Sequence, residues 1–330
     1  MDDITTTQKA FSKIGWIYVI FSAAITVLQL IVVNVVYLVN PEALTMEVQM
    51  LLSTGILYVL GMLILPIGFQ KAQLPVAVPE KKRMTIGAFL KALCMSYSLL
   101  IITNLVGTLI TTMIGILKGS PIINPVEEIA LNMDLPLLIL FTVIGAPIFE
   151  ELFFRKFLVD RTAQYGEGVS VVISGFMFGM FHGNLSQFPY AFALGAFFAY
   201  IYIRTGRIGY TILMHAIINF VGSIVGSLIL KNIDLSLYEQ IFSSTSIEEI
   251  VAALTMENMT GLFILLVYEM VIMTVVVIGI ILWILEFRKF FFKPAVQDIP
   301  KGRCFEASIC NKGMLVYIGF WFIMIIIASI

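Results

Sequence analysis

The sequence predicts an all-α protein, a polytopic transmembrane helical bundle of about nine spans. Composition is the first reason: of 330 residues, 60% are hydrophobic and 12% charged, where soluble domains carry about 25% charged residues. Mean hydropathy is +1.00. The second reason is that apolar runs approaching the roughly 20 residues of a bilayer crossing recur along the whole chain. The third is that every second loop between them is basic.

The runs fall at 15–39, 49–69, 88–116, 135–154, 169–183, 187–203, 208–230, 259–286 and 313–330. The first is too long for a signal-peptide core of about 7–15 residues, and no small-x-small cleavage pattern follows, so it reads as a retained span. The fifth and sixth are short and are parted only by Gly183–Ser186. Lys9 and Lys13 precede the first span, and Lys71, Lys81, Lys82 and Arg83 follow the second. Arg155, Lys156 and Arg161 follow the fourth, and Arg204 and Arg207 the sixth. Arg288, Lys289, Lys293, Lys301, Arg303 and Lys312 follow the eighth. The intervening loops are acidic or carry little charge. The positive-inside rule then puts the N-terminus in the cytoplasm and the C-terminus outside.

The organisation expected is three spans in 1–134, a catalytic core of four in 135–230, and an outer loop with the last two spans in 231–330. Within that loop Lys231–Leu254 mixes apolar and acidic residues and reads as a short helix lying on the outer surface. A net charge of −1 excludes a strongly basic nucleic-acid binder. Cys94, Cys304 and Cys310 give no disulfide framework, and a zinc site at Cys304 and Cys310 lacks further ligands.

The chemistry concentrates in a few residues. Glu150, Glu151 and Arg155 sit inside the fourth run, and an ionisable group in hydrocarbon marks a functional site by default. Glu151 and Arg155 are four apart on one helix face with the acid first, the favoured order for a pair. Glu150 lies about 100° around the helix and is left free. The only two histidines also fall inside spans. Phe178 shares a face with His182, as an aromatic wall beside the imidazole, and His215 shares one with Asn219. Phe176, Phe178 and Phe181 read as packing residues. Glu150 and His182 are equally far from Gly166 along the chain, so an antiparallel hairpin brings them to one level, at most about 24 Å from its turn. His215 and Asn219 reach a similar depth, nearer the cytoplasmic side.

A carboxylate, two imidazoles and a carboxamide in a dry cavity are the parts for hydrolysis. Burial makes a glutamate a better general base at neutral pH. One histidine can hold the water, and the other, with Asn219, can donate to a developing oxyanion. Glu150, His182 and His215 are also a conceivable set of zinc ligands, but no compact zinc spacing is present. Intramembrane histidines also serve as hydrogen-bonding glue between helices. Glu269, in the eighth span, has no obvious partner. It either lines a cavity or hydrogen-bonds as a neutral acid, and the second is the expectation here.

Three motifs, Glu150-Glu151-x-x-x-Arg155, Phe178-x-x-x-His182 and His215-x-x-x-Asn219, occur in this order on successive spans. Together they resemble the CAAX protease and bacteriocin-processing (CPBP, or Abi) family of intramembrane endopeptidases, which includes the type II CAAX prenyl endopeptidases. The resemblance covers about 135–225. It implies that Glu150 activates a water with help from His182, that His215 and Asn219 form the oxyanion site, and that Glu151 and Arg155 brace the helix. The family is filed with the metallopeptidases, although a glutamate mechanism without an obligatory metal has been argued for it. A divalent metal such as zinc is therefore an open expectation. The substrates implied are membrane-associated: CAAX-type lipidated proteins, bacteriocin leaders or peptide pheromones. The alternative is a non-catalytic immunity or scaffold protein of the same fold. A transporter would call for repeated, broken spans in both halves, and no such symmetry is visible. The expectation is an integral, multi-pass protein of the cell membrane whose partners are a peptide or protein substrate and the bilayer.

Overall fold

The computed structural model describes residues 2–122, 124–231, 256–294 and 302–329. Among these the secondary structure is helical, without a strand. The helices are α1 (Asp2–Val39), α2 (Met46–Ala72), α3 (Ile86–Lys118) and α4 (Pro125–Asn132). There follow α5 (Leu135–Tyr165), α6 (Glu167–Phe181), α7 (Phe188–Thr205) and α8 (Ile208–Lys231). The last are α9 (Met256–Glu286), α10 (Cys304–Ser308) and α11 (Lys312–Ser329).

Local chemistry sets the ends. Thr45 and Thr85 cap α2 and α3 by accepting from the N–H groups of Val48 and Ala88, satisfying donors that a first helical turn leaves free. Gly166, at φ 110°, makes the hairpin turn between α5 and α6, a conformation that glycine alone adopts readily.

Among the described residues seven helices are long and apolar enough to cross a membrane: α1, α2, α3, α5, α8, α9 and α11. The chain is an integral, multi-pass membrane protein. The fifth and sixth predicted runs, now α6 and α7, are outside that set. The 15 residues of α6 extend only about 22 Å, against a hydrocarbon core of about 30 Å. These two helices are instead the innermost pair of the bundle. A methyl group added at Gly175 would meet Phe192 O at 2.6 Å, and one at Gly195 would meet Gly175 Cα at 3.0 Å. Two backbones this close need glycine at the crossing.

Two boundaries depart widely from the predicted ones: α1 begins at Asp2 rather than at 15, and α5 runs eleven residues past the expected 154 to Tyr165. Its polar end stays helical because its charges are matched. Lys156 Nζ lies 2.6 Å from Asp160 Oδ2, and Tyr202 of α7 donates to Asp160 Oδ1 at 2.8 Å. The surface helix expected at Lys231–Leu254 lies, beyond Lys231, outside the described residues.

Two apolar cores hold the bundle. One joins α1, α5, α6 and α11 around Tyr18, Phe21, Phe153, Phe154 and Tyr317. The other joins α3, α7, α8 and α9 around Tyr97, Phe197, Phe198 and Ile218. The polar residues of the motifs lie between them.

Candidate active site

Helix α5 is not a plain α-helix where it carries the carboxylates. Glu150 and Glu151 lie on an α-helical stretch, Ala146–Glu151, between π-helical stretches at Ile139–Gly145 and Leu152–Phe157. A third π stretch, Phe220–Val225, follows Asn219 directly in α8. Such segments are rare and concentrate at functional sites. Side chains of neighbouring helices bind backbone carbonyls in them. Tyr18 donates to Phe153 O at 2.6 Å, Ser174 to Phe154 O at 2.8 Å, and Asn219 Nδ2 to Thr142 O at 2.8 Å.

The paired glutamate is where the spacing put it. Arg155 Nε lies 3.2 Å from Glu151 Oε2, and both side chains are wholly buried. The guanidinium is packed between rings, 4.4 Å from the centroid of Phe178 and 5.7 Å from that of Phe198. Such placement lets aromatic faces take part of the charge. Among the described residues no hydrogen-bond partner reaches either Nη atom.

Glu151 has a second task that the helix spacing did not reveal. Its Oε1 lies 3.2 Å from Nδ1 of His215, across the interface between α5 and α8. A carboxylate oxygen accepts, so Nδ1 carries the hydrogen and Nε2 faces the other way. That nitrogen lies 3.8 Å from Glu150 Oε2, too long for a direct hydrogen bond and short enough for one water to touch both. Arg155, Glu151, His215 and Glu150 thus form a continuous polar row from the dry interior outward.

His182 ends α6. Its Nδ1 lies 2.9 Å from Phe178 O. A carbonyl only accepts, so this nitrogen too carries the hydrogen and Nε2 is the free one. Phe178 stands edge-on to both imidazoles, at 4.7 Å from His182 and 6.2 Å from His215. It packs, as expected, and it also separates Arg155 from the two histidines.

Glu150, His182, His215 and Asn219 all line one cavity of about 400 Å³, walled by α2, α3 and α5 to α8. Of the two glutamates, Glu150 alone is partly open, its side chain 16% exposed. The cavity also holds Tyr58, Gln187 and Tyr190, which the motifs did not point to. Gln187 bridges Asn184 and Tyr190 and so ties the loop after His182 to α7. Only the short Asn184-x-x-Gln187-x-x-Tyr190 spacing signals it in the sequence. Glu269 lines an adjoining cavity of about 370 Å³, which shares Asn219 and Tyr190 with the first. Of its two expected settings, the structure supports the one that was not preferred.

Among the described residues no three His, Cys, Asp or Glu side chains stand together as metal ligands. His182 and His215 each spend Nδ1 on a protein acceptor and keep Nε2 free, as metal-bound histidines also do. Glu150, His182 and His215 do not stand together as a three-ligand zinc site. Cys304 and Cys310 are free and exposed.

A membrane-embedded helical bundle with a glutamate and histidine centre is the class that fold and site define. Residues 132–221 match the family described as type II CAAX prenyl endopeptidase Rce1-like. That match bears out the resemblance carried by the three motifs. The chain is 36% identical over 88 residues to the Bacillus subtilis protein named "Putative membrane peptidase YdiL", covering 26% of this chain and 35% of that one. It is 26% identical over 156 residues to the membrane-embedded CAAX protease MroQ of Staphylococcus aureus, covering 45% and 60%. The matched stretches thus span less than two thirds of either relative. No solved structure matches the chain.

Proposed function

We propose that this chain is an intramembrane endopeptidase that hydrolyses a peptide bond of a membrane-associated substrate. The observation that carries this reading is the convergence of Glu150, His182, His215 and Asn219 on one cavity. The likeness of residues 132–221 to CAAX endopeptidases agrees with it.

A water resting against Glu150 attacks the scissile carbonyl carbon and gives its proton to the carboxylate, which returns it to the leaving amine. The free Nε2 of His182 accepts from the same water and orients it. The oxygen of the tetrahedral intermediate is met by the second N–H of Asn219 and by His215 in its imidazolium form, with a hydrogen on each ring nitrogen and Glu151 holding the ring and balancing its charge. Phe178 and Phe181 keep the pocket apolar, so these interactions act with little screening by water. The basic loops support a cytoplasmic approach to the site.

The test uses the purified chain reconstituted in vesicles. A farnesylated CAAX peptide, its unlipidated counterpart and a bacteriocin-leader peptide are incubated with it, and products are identified by mass spectrometry. Cleavage of a member of the panel by the wild type and not by Glu150→Ala supports the reading. Cleavage by both equally would assign the activity elsewhere. An immunity or scaffold role would show as full function of Glu150→Ala in cells.

A further inference from the structure

We infer that Pro147 is a positioning residue for Asn219, acting through a backbone carbonyl that it leaves without a partner. The inference deepens the proposed mechanism and rests on Asn219 being the oxyanion donor. Its structural half stands independently of that.

A carbonyl in an α-helix accepts from the N–H four residues on, and one in a π-helix from the N–H five residues on. For Thr142 those donors are residues 146 and 147. The N–H of Ala146 is spent on Phe141 O, one residue earlier, because the π stretch lengthens the ring. Residue 147 is proline and has no N–H. Thr142 O therefore loses both helical donors, at a depth where water is scarce and a bare carbonyl is costly. Asn219 Nδ2 fills the vacancy from α8 at 2.8 Å.

The consequence reaches the chemistry. Because a carbonyl accepts only, the amide nitrogen of Asn219 must be the atom facing α5. This settles which way round the carboxamide sits and leaves its second N–H directed away from Thr142. Asn219 lines the cavity that Glu150 also lines, so one proline on α5 sets the orientation of a donor on α8. Supplying an N–H at 147 lets α5 satisfy Thr142 O by itself and releases the carboxamide to rotate.

Two cycles of substitutions test this in the full-length protein. The first reads thermal stability in detergent and needs no substrate. Asn219→Leu strips Thr142 O of its donor and should lower Tm, whereas in a Pro147→Ala background the same change should lower it much less. Equal losses in both backgrounds would overturn the inference. Pro147→Ser supplies the same N–H, and failure of both variants to fold would overturn it too.

The second cycle reads kcat and KM on a cleaved peptide. Pro147→Ala should lower kcat by about 10–100-fold with KM little changed, the pattern of a donor used in the transition state. Added to Asn219→Ala, it should cost no more than about twofold, since residues acting as a unit are not additive. Independent, multiplying effects would mean that Pro147 acts only through helix shape. If the stability cycle behaves as expected and no peptide is cleaved, the positioning stands and the protease reading falls.

Discussion

Glu150 and Glu151 are neighbours in the chain and occupy opposite surroundings. Glu151 is wholly buried, with Arg155 on one oxygen and His215 on the other. Glu150 opens onto the 400 Å³ cavity, and its nearest ionisable contact is His215 Nε2 at 3.8 Å. The difference comes from the roughly 100° between successive residues of a helix, which turns one side chain toward Arg155 and His215 in the buried interface with α8 and the other toward the cavity. Chemistry and support can then sit side by side without sharing a role. The paired group is locked into the architecture, and in the proposed mechanism the unpaired one is left for water and substrate. His215 is the joint between the regions, since each of its ring nitrogens faces one of the two carboxylates.

The contrast can be broken most directly at Glu150. Glu150→Ala should lower kcat/KM by about 10⁴-fold while Tm in detergent stays near that of the wild type. A large fall in Tm would mean that Glu150 carries structure as Glu151 does. Next comes Arg155→Ala, which leaves Glu151 unpaired in the dry interior. Breaking a buried pair in this way costs about 3–5 kcal/mol, so the variant should express poorly and melt early. Wild-type stability would show that the pair is dispensable and the two glutamates are not distinguished by it. Tyr18→Phe is the smaller version of the same test. It leaves Phe153 O without the hydroxyl that now lies at 2.6 Å and should cost about 1–3 kcal/mol in the same melts.

The control is an exposed arginine–glutamate pair, Arg303 and Glu306, in and beside α10. The partners are fork to fork at 2.5 and 2.7 Å, and the hydrogen bonds from Arg303 hold the Glu306 carboxyl below its ordinary range. Both side chains are open to water, where ion pairs contribute little. Glu306→Gln should leave Tm unchanged. A fall comparable to that of Arg155→Ala would show that burial is not what separates the two pairs.

The sequence made the span pattern legible because hydropathy acts on long averages: seven apolar runs recovered their helices to within three residues at both ends, α1 at its end and α5 at its start. The far end of α5 was missed because its charges looked like a loop. Their partners, Tyr202 of α7 among them, are remote in sequence. The Glu151–Arg155 pair was legible because it is local, four residues on one helix. The link from Glu151 to His215 was not, because spacing within a helix carries no information about what faces it across an interface. Asn219 could be named from its spacing to His215, but its grip on Thr142 O depends on π geometry that no periodicity reported. Pro147 was in view throughout, read only as part of an apolar run. Glu269 stands out in the sequence as an acid, but its place against a cavity is not legible there for the same reason, since a cavity is a property of several helices at once.

The two π stretches of α5 have a consequence for how this protein can change over generations. A π stretch holds a residue more than an α-helix would need to cover the same turn. Removing one residue between Leu152 and Phe157 would let the helix revert to regular winding with what lies beyond still in register, whereas removing one from the α-helical stretch Ala146–Glu151 would turn everything beyond it by about 100°. In the second case Asp160 would swing away from Tyr202, although every apolar residue remained apolar. Substitutions along this helix can be judged one at a time, but insertions and deletions cannot. The loops between spans can change in length freely, whereas α5 can lose a residue and keep its register only at its π stretches.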